Sequence, residues 1–374
     1  MAVSGKVYSK SDFSLGIKQK NATAFETPAS ASAAYQLLPV TSVSSPVLNL
    51  IESGEIRSNN AGMIETSDDQ FRSAKGGFVT LDFELPAERE QIVRLLVNVL
   101  QDHTASEGGS APFVHEIQAT SGAPLVRPDF TGSSTIGVPS IFDIALYHPE
   151  TTQDILITSA VLQTLTMNFD QADGRCLLSG TFYSGFASST GFKVEQTLSN
   201  SSGAPTLSST APTQIEAYFD TKTLDVDGTD NVVAPVITGV SFTFENNVAR
   251  VGRDANGDAE AYSFGIPSVN ITGEISFIYD GNFNYDGGKN VLQDFLSGNT
   301  ATLVLQQGDG TVSTAGEMNI TAEIYTTAVN LDPNADTGAI ITLPFKVVQP
   351  MVNGVADGTA FKFQYSDSTI STGW

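Results

Sequence analysis

The chain has 374 residues, 40% of them hydrophobic, enough to bury one large core or two to three smaller ones. It carries 41 Asp and Glu against 18 Lys and Arg, a net charge of −23 shared by both halves, which excludes a basic surface that grips nucleic acid. The one cysteine, Cys176, excludes an intrachain disulfide, and no apolar run approaches the length of a membrane-spanning helix.

The opening residues, MAVSGKVYSK, lack the apolar stretch of a signal peptide. They place the protein in a cytoplasm or outside classical secretion. Residues 1–30 read as a flexible segment. A strand follows at 45–57. In 79–85, Val79, Leu81, Phe83 and Leu85 alternate with Thr80, Asp82 and Glu84, so one face is dry and the other polar. A helix is expected over 87–102. Pro86 suits its entry, and Glu88 and Glu90 suit its positive end. Ile92, Leu95, Leu96, Val99 and Leu100 form a stripe at helical spacing, expected to pack on the dry face of the preceding strand.

Residues 104–112 read as a loop, and strands are expected at 112–119, 155–169 and 175–184. The stretch 186–213, rich in Ser, Thr, Ala and Gly, with Pro205 and Pro212, reads as a linker or long surface loop. Strands resume at 236–248 and again from 269. There Val269, Ile271, Ile275, Phe277 and Tyr279 alternate with Asn270, Thr272, Glu274, Ser276 and Asp280. A loop over 281–289 and a short helix over 288–297, stopped by Gly298, come next. The last strands fall at 300–307, 318–328, 338–348 and 359–366. The pattern is a mainly β fold of antiparallel sheets with one solvated side.

Two of these segments look like copies of one unit, 192 residues apart. Val79-Thr80-Leu81-Asp82-Phe83-Glu84-Leu85 leads to Asn98-Val99-Leu100-Gln101-Asp102. Ile271-Thr272-Gly273-Glu274-Ile275-Ser276-Phe277 leads to Asn290-Val291-Leu292-Gln293-Asp294. The spacing within each copy is the same, which indicates a duplicated strand–helix unit. The chain therefore divides into a first domain, 1–185 with its N-terminal arm, a linker or long loop, 186–213, and a second domain, 214–374.

No catalytic constellation stands out, and the chain does not read as an enzyme. His103, His115 and His148 lack metal-ligand spacing, and Cys176 beside Leu177 and Leu178 reads as a buried structural thiol. The run from Asp332 to Gly338 begins like a calcium loop but has Leu343 where the twelfth position needs an acid. The acidic clusters at 225–230 and 254–258 are explained by turn-forming Asx residues, with weak calcium binding as the alternative. Asn270-Ile271-Thr272 and Asn319-Ile320-Thr321 match a glycosylation sequon but lie in expected strands. No cofactor is expected.

The order of motifs resembles the tail tube (major tail) proteins of long-tailed bacteriophages. Residues 16–28, from Gly16 to the Thr27-Pro28 pair, are similar to that family's opening segment, with Glu26 where a Gly usually stands. Val47 to Ser58 resembles its first strand, with Gly54 between Ser53 and Glu55. Gly76-Gly77-Phe78 before the alternating strand and helix is also similar, as is Val236 to Asn247 followed by Asn270 to Phe277. The resemblance covers most of the chain and leaves out 120–140 and 186–213.

The resemblance implies packed antiparallel sheets flanked by an α-helix in each of two tube domains, with sheets of neighbouring subunits joining in an inner barrel. It implies three chains per stacked, pseudo-hexameric ring, six chains being the alternative. It also implies neighbours at the tail tip or baseplate, a tape measure and a tail terminator, assembly in the host cytoplasm, and a place in the virion tail. DNA would pass through without specific binding, and no membrane is involved. On this reading Thr80, Asp82, Glu84, Thr272, Glu274 and Ser276 are candidates to line the channel. An acidic wall repels a polyanion along its length, so DNA finds no binding minimum. The competing expectation is a secreted or surface β-sandwich adhesin or carbohydrate-binding module, against which stand the missing signal peptide and the lone Trp374.

Overall fold

The computed structural model describes residues 13–19, 35–54, 70–100, 104–105, 112–119, 141–148, 154–185, 192–196, 214–226, 232–233, 236–251, 263–265, 268–279, 284–285, 289–290, 298, 300–309, 312, 314–333, 338–352, 355–356 and 358–367. The protein is mainly β. Among these residues one helix and one large antiparallel sheet account for the core architecture.

The strands that matter are, in chain order, β1 (Ser14–Gln19), β2 (Ser42–Val43), β3 (Val47–Gly54) and β4 (Gln70–Pro86). The helix α1 (Arg89–Leu100) follows. Then come β5 (Phe113–Ala119), β6 (Phe142–Tyr147), β7 (Asp154–Asp170), β8 (Arg175–Ser184) and β9 (Phe192–Gln196). The second half holds β10 (Thr221–Val226), β11 (Ile237–Asn246), β12 (Val269–Ile278) and β13 (Thr300–Gln307). It ends with β14 (Met318–Thr326), β15 (Asn330–Asp332), β16 (Ile340–Val347) and β17 (Phe361–Asp367).

Seven strands of the first half, β1, β3, β4, β6, β7, β8 and β9, have counterparts in the second with the same pairings, whereas β5 and α1 have none among the described residues. β3 pairs β4 as β11 pairs β12. β4 pairs β8 as β12 pairs β16. β8 pairs β7 as β16 pairs β14 and β15. β7 pairs β6, and β6 pairs β1, as β14 pairs β13, and β13 pairs β10. β9 pairs β7 as β17 pairs β14. The partners also follow one another in the same chain order. Even an irregularity recurs. From Ser179↔Thr166 to Phe182↔Leu162, three steps along β8 meet four along β7. From Thr342↔Asn330 to Phe345↔Thr326, three steps along β16 meet four along the facing chain. A bulge of this kind bends a strand, letting it serve two sheets.

The halves are joined edge to edge. Residues 164–170 of β7 pair with β11 in an unbroken antiparallel register, from Glu245↔Thr164 to Gly239↔Asp170. One sheet therefore runs β3–β4–β8–β7–β11–β12–β16. Its dry face carries Val79, Leu81, Phe83 and Leu85 from β4 and Ile271, Ile275 and Phe277 from β12, all buried. A single core cluster spans both halves, from Leu15 to Tyr365. Aromatic rings knit it: Phe83 stacks on Phe182 at 4.8 Å, and Phe242 meets Phe345 and Phe361 edge-on at 5.6 Å each.

The helix is enclosed rather than flanking. Its expected stripe is buried, and so are Gln91, Arg94 and Asn98 on its other sides. It lies against β7 and β5, with β11 next, instead of on the strand preceding it. The reason is topological: β8 takes the place beside β4, which sets β7 and the join to β11 beneath the helix.

Three further expectations change. Residues 14–19, expected to be flexible, form β1 and pair with β6. Within the expected linker, β9 is a strand on β7. Lys289 and Asn290, placed in the second helix by sequence, pair as a strand with Asn284 and Tyr285; the rest of that helix, 291–297, lies outside the described residues. Gly298 sits at φ +86°, as a chain-reversing glycine does.

Candidate functional site

The candidate residues come together as parts of one surface. Thr80, Asp82 and Glu84 on β4, and Thr272, Glu274 and Ser276 on β12, all point away from the dry face of the same sheet. Asp82, Glu84 and Glu274 are exposed, and the other three are half-buried. Period-2 alternation dictates this, because every neighbour at i±1 is taken by the core.

The register extends the surface across strands that the sequence reading passed over. One cross-strand row runs Asp82, Thr181, Thr164, Glu245, Asn270. The next runs Glu84, Ser179, Thr166, Thr243, Thr272, Lys346. A third holds Asn168, Ser241 and Glu274. The missed signal was the alternation of Thr, Ser and Asn with apolar residues inside 155–169, 175–184 and 236–248. It was legible as strand, but not as the same face as 79–85.

Hydroxyl groups tie the rows. Thr181 Oγ1 donates to Asp82 Oδ1 at 2.7 Å. The hydroxyls of Thr166 and Thr243 meet at 3.1 Å across the join of the halves, and those of Ser276 and Thr342 at 3.1 Å. Such pairs occupy polar groups with one another and leave a face of short, satisfied side chains. Near one end of the join the face is hollowed into an open concavity of about 630 Å³, lined in part by Asn168, Asp170, Tyr218, Ser241, Glu274 and Ser276.

The charge on this face is mostly negative. Asp82, Glu84, Asp170, Glu245 and Glu274 stand on its rows against Arg175 and Lys346. Arg175 is held by Asp173 at 3.0 Å, which spends part of its charge locally. The carboxylates are spread along the face and do not converge on a point, so the arrangement suits repulsion of an anion over a length.

The remaining chemistry-bearing residues sit elsewhere. Cys176 is fully buried on the dry face, where burial pushes its thiol well above the ordinary range. His115 and His148 are buried; His103 lies outside the described residues. Among the described residues no group of three or more His, Cys, Asp or Glu is placed to hold a metal ion, and no helix is long and apolar enough to cross a membrane. The acidic clusters at 225–230 and 254–258 lie largely outside the described residues.

No protein-family model matches the chain, and no curated protein matches it.

Proposed function

We propose that the chain is a wall subunit of a self-assembling tube through which DNA passes, as in the tail tube of a long-tailed bacteriophage. The observation that carries this reading is the single sheet that crosses both halves with one dry face and, over the rows of Asp82, Glu84 and Glu274, a polar and predominantly acidic opposite face; at the Thr80 row that face turns apolar, with Tyr183 and Val161 buried in a small cluster. A sheet of that kind, closed around an axis with its dry face outward against the helix layer, presents the polar rows to the bore. Acidic and hydroxyl side chains then repel phosphate and offer it no binding site, so that DNA slides.

The repeated pairing pattern supports two tube units per chain, the first within 1–185 and the second within 214–374. Three chains then supply six units to a ring, and stacked rings make the tube. Thr80, Asp82, Glu84, Thr272, Glu274 and Ser276 line its bore, joined by Ser179, Thr181, Thr166, Ser241, Thr243 and Glu245. The partners are further copies of the chain and the proteins that start, measure and end a tail. The protein acts without a cofactor, in the virion, after assembly in the host cytoplasm.

The test is negative-stain microscopy of the purified full-length protein over a rising concentration series. Rings or hollow tubes are the expected products. A protein that stays monomeric at every concentration and salt, or that binds an oligosaccharide array as a monomer, contradicts the proposal.

A further inference from the structure

The join between the halves has two counterparts that no described strand covers. In the join, β11 lies along residues 164–170 of β7. The pairing pattern matches β11 to the β2–β3 edge, since each lies along the same side of its neighbour, β12 or β4. It matches β7 to β14 and β15, bulge included. Along β7, β6 occupies one edge first and β11 takes over beyond it. Along β14, β13 occupies that edge as far as Tyr325↔Thr300, and no described strand takes over beyond it. Likewise β3 is paired with β4 on one side, and no described strand lies on its other side.

Exposure marks the same two edges. In the join, Phe244, Leu165 and Met167 are fully buried. By register, Leu48 stands where Phe244 stands, Val329 where Leu165 stands, and Leu331 where Met167 stands. Leu48 and Leu331 are 37% and 55% exposed. They are dry-face residues at the ends of a sheet, and among the described residues neither has the strand neighbour that covers its counterpart. Exposed large apolar residues at a paired-on-one-side edge are what natural edge strands avoid unless another strand covers them.

We infer that a second copy of this chain covers both edges. The β3 edge of one copy pairs, antiparallel, with residues 328–332 of the next, in the register of the internal join. Val47 faces Asn330 as Thr243 faces Thr166, and Asn49 faces Ala328 as Glu245 faces Thr164. Leu48 then packs beside Val329 and Leu331 on the dry face. The contact is head-to-tail, so it propagates from copy to copy and closes only if the turn per copy allows a ring. The strand pairing of the internal join sets the register proposed between chains; the helix and the β5–β17 pairing that also cross that join have no counterpart among the described residues of the second half. The inference rests on the self-assembly part of the proposed function and names the strands that carry it; it does not depend on DNA passage.

Disulfide capture tests it. The double variant Val47→Cys/Asn330→Cys is purified reduced, concentrated and oxidised mildly. Within one chain the two sites are separated by β4, β8, β7, β11, β12 and β16. At roughly 4.8 Å per strand this exceeds disulfide reach several-fold. Cys176 is buried and stays out of the reaction. The expected result is a ladder of covalent multimers on a non-reducing gel, absent from either single variant. Asn49→Cys/Ala328→Cys is the second pair, in case the first misfolds. Assembly by light scattering with no ladder from either folded pair overturns the seam while self-assembly survives. No assembly of the unmodified protein at any concentration overturns both.

Discussion

At Leu162, where β7 passes from β6 to β11, both backbone groups are held by side chains from distant parts of the chain. Asn98 Oδ1, on the buried helix, accepts from the Leu162 N–H at 2.6 Å, and Asn246 Nδ2, at the end of β11, donates to its carbonyl at 3.0 Å. On that edge β6 reaches only Ala160 and β11 begins at Thr164, so no strand serves Leu162 there, and the two asparagines take its place. Asn98→Ala leaves the Leu162 N–H buried without an acceptor, and a urea titration should show a loss of about 1–3 kcal/mol. A change within about 0.5 kcal/mol would remove Asn98 from this role. On the proposed reading, the wall residues belong to function rather than stability. Replacing Asp82, Glu84 and Glu274 by Lys adds three positive charges per chain on an exposed face. Tubes should still form, and particles carrying the variant should eject DNA slowly at low salt, with relief as salt rises, because each Lys–phosphate contact is salt-sensitive. Normal ejection at low salt would show that the wall's charge has no part in it.

Among the elements, β12 shows how tightly the sheet and its cover fit. A Cβ on Gly273 would collide with the Ser241 carbonyl oxygen and with the Phe345 ring. The missing side chain makes room for that ring on the dry face. Gly273→Ala should cost on the order of 1–3 kcal/mol through displaced packing, read as a lowered thermal midpoint. An unchanged midpoint would mean the ring yields freely. The β5–β17 pairing ties the segment after the helix to the end of the chain, and Glu116 and Lys362 lie across it at 3.0 Å. Partial burial works to raise the Glu116 pKa. The Lys362 charge and hydrogen bonds from Lys362, Gln118 and Gln364 outweigh it, so the value is lowered. A lowered carboxylate pKa stabilises the folded state above the ordinary glutamate range, and the gain is lost as pH falls through the lowered value. The protection of the β17 amides, corrected for their intrinsic exchange rate, should therefore fall in that acidic window, and Glu116→Gln should flatten the dependence. A wild-type profile that is already flat would contradict it. At this scale the sequence was most legible. Alternation located β8 and β13 to the residue and β3, β5, β7, β11, β12, β14, β16 and β17 to within three, because a strand with one dry face writes its period into the chain. It missed β1, β6, β9 and β10 and the first nine residues of β4. The helix position was legible too. Its complete burial was not, because Gln91, Arg94 and Asn98 look like a solvated face, whereas in the fold all three are buried, with Gln91 donating to the Leu37 carbonyl and Asn98 accepting from Leu162.

For the molecule as a whole, the repeat was read from sequence at β4 and β12, which the structure repeats, and at Asn98–Asp102 against Asn290–Asp294, which it does not, since Asn98 lies in α1 and Asn290 pairs as a strand with Asn284. The other paired elements carry the same topology with unrelated residues: Gly180 stands in β8 where Leu343 stands in β16, and Thr181 where Pro344 stands. Pairing constrains backbone direction and face, not identity, so most of the duplication is written in register alone. The same holds for the candidate site. Six residues could be named from alternation, but their union with β7, β8 and β11 depends on long-range pairing that local pattern does not encode. The edge-to-edge join inside the chain makes each molecule two-sixths of a ring on the proposed reading. The most direct test is an end-on cryo-electron microscopy average of the assembled protein, with chains traced. The account predicts a closed ring of three chains with six similar units around an acidic bore lined by Asp82, Glu84 and Glu274. Six chains per ring, or those three side chains on the outer surface, would contradict it.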